Sequence, residues 1–146
     1  MGSEMCIRDR NLPLPMHIGE KSYLYAFNEI FSRVLDAANP DVILISAGFD
    51  GHFADPVGNM NLTSETYFEI AKALRNAALR YCGGKLIAVL EGGYNPLALP
   101  LCIEAYINGL LAKPFKGPDV YLAPEEKEID DGVIRIVREV KSSLGE

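Results

Sequence analysis

Asp50 and His52 stand two residues apart in the segment Phe49-Asp50-Gly51-His52. An aspartate binds a hard or borderline metal as a carboxylate, and a histidine binds one as a neutral imidazole. An i, i+2 spacing puts two side chains on one side of an extended segment. The pair is therefore a metal-site candidate. The bland alternative is an aspartate that caps the following turn and a histidine that packs against it. A second stretch, Glu91-Gly92-Gly93-Tyr94, joins two glycines to a phenol. The glycines let the backbone turn tightly and approach a ligand. The Tyr94 phenol is protonated at neutral pH and can donate a hydrogen bond, or it is simply a packed aromatic. A Gly-rich turn can also cradle a phosphate. This one lacks the G-x-G-x-x-G and P-loop patterns, so a nucleotide-binding reading is weak.

Each stretch follows a short apolar run. Val42 to Ile45 has the continuous pattern of a strand buried on both faces, within a strand from Asp41 to Ser46. Lys85 to Leu90, KLIAVL, reads as a second such strand. Between them a helix starts after Thr63 or Ser64, with Glu65 in its first turn. Its apolar face is Tyr67, Ile70, Ala71, Leu74, Ala78 and Tyr81, and Gly83-Gly84 stops it. Two strands joined by such a helix form a βαβ unit. That unit brings Asp50 and Glu91–Tyr94 to one edge of the sheet, beyond the carboxyl ends of the strands, where ligands bind in open parallel sheets.

Other elements flank this unit. Lys21 to Ala38 reads as a helix with Leu24, Phe27, Phe31, Val34, Leu35 and Ala38 on one face, ended by Asn39-Pro40. Asn95-Pro96 suits a helix start that runs to about Leu111, with Pro100 early enough to be tolerated or to kink it. Lys116 to Pro124 is a loop, and Glu125 to Leu144 a last helix with Ile129, Val133, Ile136, Val137, Val140 and Leu144 on one face. Asp55-Pro56 and Gly58-Asn59 are turn dipeptides, and Asp55 is read as bonding backbone amides there. His17 has no partner in local spacing and reads as a surface or loop histidine. The expected class is α/β, a partial open parallel sheet with flanking helices.

Composition narrows the function. Apolar residues make up 49% and charged residues 23% of the 146, which is ordinary for a globular protein. The net charge of −6 comes with no basic stripe, which disfavours nucleic acid as a partner. No apolar run approaches the roughly 20 residues of a membrane span. Cys6, Cys82 and Cys102 form no zinc-type spacing, and their odd number argues against a disulfide framework. A reducing compartment, the cytoplasm, is the expectation.

The run ISAGFDGHFADPVGNMNLT resembles the SAGFDAH..DPLG..LT motif of the zinc-dependent histone deacetylase family. That family includes bacterial and archaeal amidohydrolases acting on acetylated amines such as acetylpolyamines. VLEGGYN, from Val89 to Asn95, resembles the family's (L/V)EGGYN motif, and Asn11 to Gly19, NLPLPMHIG, resembles its N-(I/V)-P-L-P-P-G segment. The similarity runs from about Asn11 to Leu111. It implies that residues 11–112 are the C-terminal part of an arginase/deacetylase-like domain, followed by a loop and helix at 113–146. Met1 to Arg10, MGSEMCIRDR, lacks the resemblance and reads as an artefactual or disordered run, MCIRDR being like translated sequencing-adapter remnants.

The resemblance also implies a mechanism. A zinc ion is held by two carboxylates and one histidine with a position open for water. Asp50 matches the zinc-ligating aspartate and Tyr94 the oxyanion-stabilising tyrosine. Gly92 and Gly93 shape the loop that carries Tyr94. His52 matches a position that does not ligate, which puts it behind the ligands. The family's other two zinc ligands and its tandem catalytic histidines lie upstream of the matched region, and this chain has only His17 and His52. The expected function is thus that of a deacetylase fragment acting on acetyl-lysine or small acetylated amines and inactive alone. The alternative is a non-catalytic α/β interaction module. For the isolated fragment, a homo-oligomer or association through the exposed sheet is expected.

Overall fold

The computed structural model describes residues 11–115, 117, 119 and 122–144. In chain order these form α1 (Glu20–Ala38), β1 (Ile43–Ala47), α2 (Ser64–Cys82), β2 (Leu86–Leu90), α3 (Ala98–Leu110) and α4 (Asp131–Ser143). Residues 1–10, read from the sequence as an artefactual or disordered run, lie outside the described residues.

The βαβ unit forms as its sequence dictates. Thr63 caps α2: its hydroxyl accepts the Thr66 N–H, and the Thr66 hydroxyl accepts the Thr63 N–H in return. Gly83 closes the helix in the left-handed conformation, φ 62°. β1 and β2 then pair in parallel, Ile43 opposite Leu86 and Ala47 opposite Leu90. Ile43, Ile45 and Ala47 face the helices. There they join two apolar clusters, one with Tyr67, Ile70, Leu74 and Cys102 and the other with Leu35, Ala77, Ala78 and Cys82. α3 packs along α2.

Three expectations need correction. The strands are not buried on both faces. Leu44, Ile87 and Val89, which alternation places on the face away from the helices, are 69%, 56% and 60% exposed. The described helices cover one face only. Next, α3 begins at Ala98 rather than at Pro96; Asn95 still caps it from a distance, its Oδ1 accepting the N–H groups of Leu97 and Ala98. Pro100 falls in the first turn, where a missing N–H costs nothing.

The last helix is also shorter than its periodicity suggested. Asp130 accepts the N–H groups of Gly132 and Val133 and so starts α4 at Asp131, leaving Ile129 outside. The residues before it serve α1 instead. Glu126 accepts the N–H groups of Gly19 and Ser22 at 3.0 and 3.1 Å and the Ser22 hydroxyl at 2.5 Å, capping a helix that has no cap of its own. Val133 and Val137, both fully buried, then pack on Ile18, Ala26 and Ile30. α1 is therefore held on two sides, with Phe27 and Phe31 toward the βαβ unit and Ala26 and Ile30 toward α4.

Candidate active site

Beyond Ala47 the two chains stay paired. Glu91 N–H donates to Ala47 O at 3.0 Å, and Phe49 N–H donates to Gly92 O at 2.8 Å. Phe49 is buried, its ring 5.0 Å from that of Tyr67 and edge-on to Tyr106 at 5.6 Å. With Phe49 anchored inward, Asp50 emerges half-buried at the end of the strand and lies against the other loop. A Cβ built on Gly92 would stand 2.5 Å from the Asp50 Oδ1, so a side chain there would have to push the Asp50 carboxylate aside. Gly93 adopts φ 131°, open to glycine alone. Asp50 and the Gly92–Tyr94 loop thus meet at one sheet edge.

His52 goes elsewhere. The chain turns between Phe49 and His52, whose N–H donates to Phe49 O at 3.3 Å, so the extended segment assumed from the i, i+2 spacing does not form. His52 is 1% exposed. Its Nδ1 accepts the Ala54 N–H at 3.1 Å, which places the ring proton on Nε2, and Nε2 donates to Asp119 Oδ1 at 2.7 Å. Both nitrogens are therefore engaged within the protein. The other Asp119 oxygen accepts the Ser64 N–H and hydroxyl at the start of α2. Burial works to raise the Asp119 carboxyl, but the bonds from His52 and Ser64 outweigh it and hold its pKa below the ordinary aspartate range. Sequence reasoning left Asp119 in a featureless loop; nothing near it in the chain signals a partner 67 positions away.

Tyr94 is 55% exposed, and it is its backbone that the chain holds. The Tyr94 N–H donates to Asp55 Oδ2 at 2.6 Å and the Asn95 N–H to the same oxygen at 3.3 Å. The other oxygen of Asp55 accepts the N–H groups of Val57 and Gly58 at 2.9 and 3.2 Å. Burial acts to raise this carboxyl too, and the four amides together bring it below the usual range. Gly58, read only as a turn residue, is held closely: a Cβ there would fall 1.5 Å from the Asp50 carbonyl oxygen.

Behind Asp50 lies a recess of about 290 Å³ lined by Tyr23, Gly48, Asp50, Gly51, Met60 and Tyr67 among others. The buried Tyr67 hydroxyl has no hydrogen-bond partner among the described residues. Burial, and after it the nearby charges, push its pKa up. Burial likewise pushes the Cys102 thiol up to about 12, which makes it a poor nucleophile. His17 is an exposed loop residue whose N–H donates to Asn59 O and whose carbonyl accepts from Asn61. Asp50 suits a zinc ion as one carboxylate donor, half-buried at a strand end. Among the described residues no three His, Cys, Asp or Glu side chains group to hold a metal.

A model of the histone deacetylase domain matches residues 4–110. The chain is 34% identical over 130 residues to "Histone deacetylase 14, chloroplastic" of Arabidopsis thaliana, covering 86% of this chain and 31% of that protein. It is 39% identical over 116 residues to a "Probable deacetylase" of Archaeoglobus fulgidus, covering 77% of this chain and 32% of that protein. Among solved structures, the HDA15 HD domain is similar over 89% of this chain and 32% of its own, with a TM-score of 0.72 and 28% identity. The histone deacetylase Clr3 shares the fold, with a TM-score of 0.75 at 24% identity over 92% of this chain and 21% of its own. The chain spans about a third or less of the length of these relatives.

Proposed function

Because the chain belongs to the histone deacetylase family, we propose that its two loops are part of the site of a zinc-dependent amidohydrolase that cleaves acetyl-amide bonds. The observation that supports this most directly is the closeness of the Asp50 carboxylate to Gly92, two residues before Tyr94: a Cβ on Gly92 would stand 2.5 Å from Asp50 Oδ1. It gathers a metal donor and a hydrogen-bond donor at one sheet edge. Zinc, when bound, polarises an amide carbonyl and acidifies a water. Asp50 supplies one of its donors, a negative charge fixed at the strand end. Tyr94 offers an exposed phenol that donates to the oxygen on which charge develops during attack. Gly92 and Gly93 let that loop close on Asp50. His52, with both nitrogens engaged, braces the Asp50 turn rather than binding the metal.

The substrate is an acetylated amine, acetyl-lysine in a protein or a small acetylated amine. The described residues supply one zinc donor, and no histidine lines the recess beside Asp50 to act as general base, so turnover needs groups beyond them. A cytoplasmic setting and the absence of a nucleic-acid partner belong to the same proposal; no described helix is long and apolar enough to cross a membrane. A second reading, an α/β interaction module, draws its support from the exposed apolar face of Leu44, Ile87 and Val89. The deciding experiment replaces Asp50 by Asn in a longer protein that carries this chain. Zinc retention after dialysis should be lost and hydrolysis of acetyl-lysine with it. Undiminished zinc and turnover would reject the assignment.

A further inference from the structure

We propose that Asp55 is the positioning residue that sets the Tyr94 loop against the Asp50 loop, an inference that rests on reading Asp50 and Tyr94 as site residues. An aspartate in a turn ordinarily accepts one or two amides of its own turn, and Asp55 Oδ1 does so with Val57 and Gly58. Its Oδ2 has a different use. It accepts the N–H groups of Tyr94 and Asn95, 39 and 40 positions away, and the Tyr94 bond is the shortest of the four at 2.6 Å. Bonds to an ionised acceptor are short and strong. Gly93, at φ 131°, directly precedes the amide that is held.

Asn95 closes the bridge from the other side. Its Nδ2 donates to Ala54 O at 2.7 Å, while its Oδ1 accepts the N–H groups of Leu97 and Ala98 at the head of α3. One carboxylate and one carboxamide therefore tie the turn after β1, the loop after β2 and the start of α3 into a unit. An ionised carboxylate suits the central place because it has two oxygens and no donor; a carboxamide has one oxygen and an NH₂ that would face the amides. The depressed pKa of Asp55 agrees with that arrangement.

The test reads amides, in the full chain. In the isotope-labelled wild type, a long-range HNCO experiment should show coupling between the Tyr94 amide nitrogen and the Asp55 carboxylate carbon. Asp55→Asn should speed amide exchange at Tyr94 and Asn95 by about ten- to a hundredfold, the scale of a bond to a charged acceptor. Val57 and Gly58, served by the one remaining oxygen, should keep their protection. Asp55→Ala should release all four. If the variants do not fold, the wild-type coupling still decides. A wild type without that coupling, or an Asp55→Ala chain that releases Val57 and Gly58 but not Tyr94 and Asn95, would reduce Asp55 to a residue of its own turn. Neither measurement reads zinc or turnover, so failure here leaves the hydrolase proposal standing, and failure of that proposal leaves the bridge.

Discussion

Tyr94 is held through its backbone, by Asp55, while its ring stays exposed. Tyr94→Phe removes a single oxygen from an exposed ring. In a longer protein carrying this chain it should leave folding and zinc content intact and lower turnover by about 10²–10³, the scale of one oxyanion donor. Steady-state kinetics checks this, and unchanged turnover would make the tyrosine a packing residue. Asp119→Ala acts on stability instead. It strands the buried Nε2–H of His52 and uncaps Ser64, so urea unfolding should show a loss of about 1–3 kcal/mol. Acid should act through the same group and through Asp55. Both carboxyls titrate lower in the folded chain than in the unfolded one, so between the two values the unfolded chain binds more protons. Their stabilisation is fully present above about pH 4 and is lost as pH falls through the folded values. Urea midpoints at pH 6 and pH 3 measure the effect, and Asp119→Ala should shrink the difference.

At the scale of elements, local chemistry was legible and distant chemistry was not. The ends of α2 could be read because Thr63 and Gly83 act within one turn of the residues they cap. The strands could be located from their apolar runs. The runs alone do not give their coverage, since Val42 to Ile45 reads the same whether one face or two are packed; the exposed sheet follows instead from the family resemblance, whose upstream strands this sequence lacks. α4 was placed too early because Ile129 fits the helical period. What excludes it is Asp130 as cap and the commitment of Glu126 to an amide 107 positions earlier. The candidate site at Asp50 was legible as a motif, whereas Asp119 and the second half of the Asp55 bridge connect residues far apart in sequence. Glu126→Ala should therefore destabilise α1 by about 0.5–2 kcal/mol, the range of a lost helix cap. Thermal melting together with amide exchange at Gly19 and Ser22 would show it, and unchanged protection there would remove Glu126 from that role.

At the scale of the molecule, the described residues leave one side of the sheet bare. Leu44, Ile87 and Val89 form a contiguous apolar face of the kind that drives association. Residues 11–146 should sediment as oligomers or larger assemblies, and Val89→Lys should shift them toward monomer without lowering stability. Equal sedimentation of both proteins would clear this face of the role. The same preparation should retain little zinc after dialysis and show no hydrolysis of acetyl-lysine, because one carboxylate is too few donors for a catalytic zinc. One zinc held tightly per chain, with chelator-sensitive turnover, would contradict that expectation.

The Glu126 cap has a consequence in time. A ribosome delivers the chain from its N-terminus at about 5–20 residues per second. The head of α1 emerges 107 residues before the carboxylate that caps it, so it waits on the order of 5–20 seconds at that pace. Through that interval Ile18, Ala26 and Ile30 also lack Val133 and Val137. During synthesis, then, α1 appears before the other described helices and is among the last of them to be completed, with its apolar flank open in the meantime.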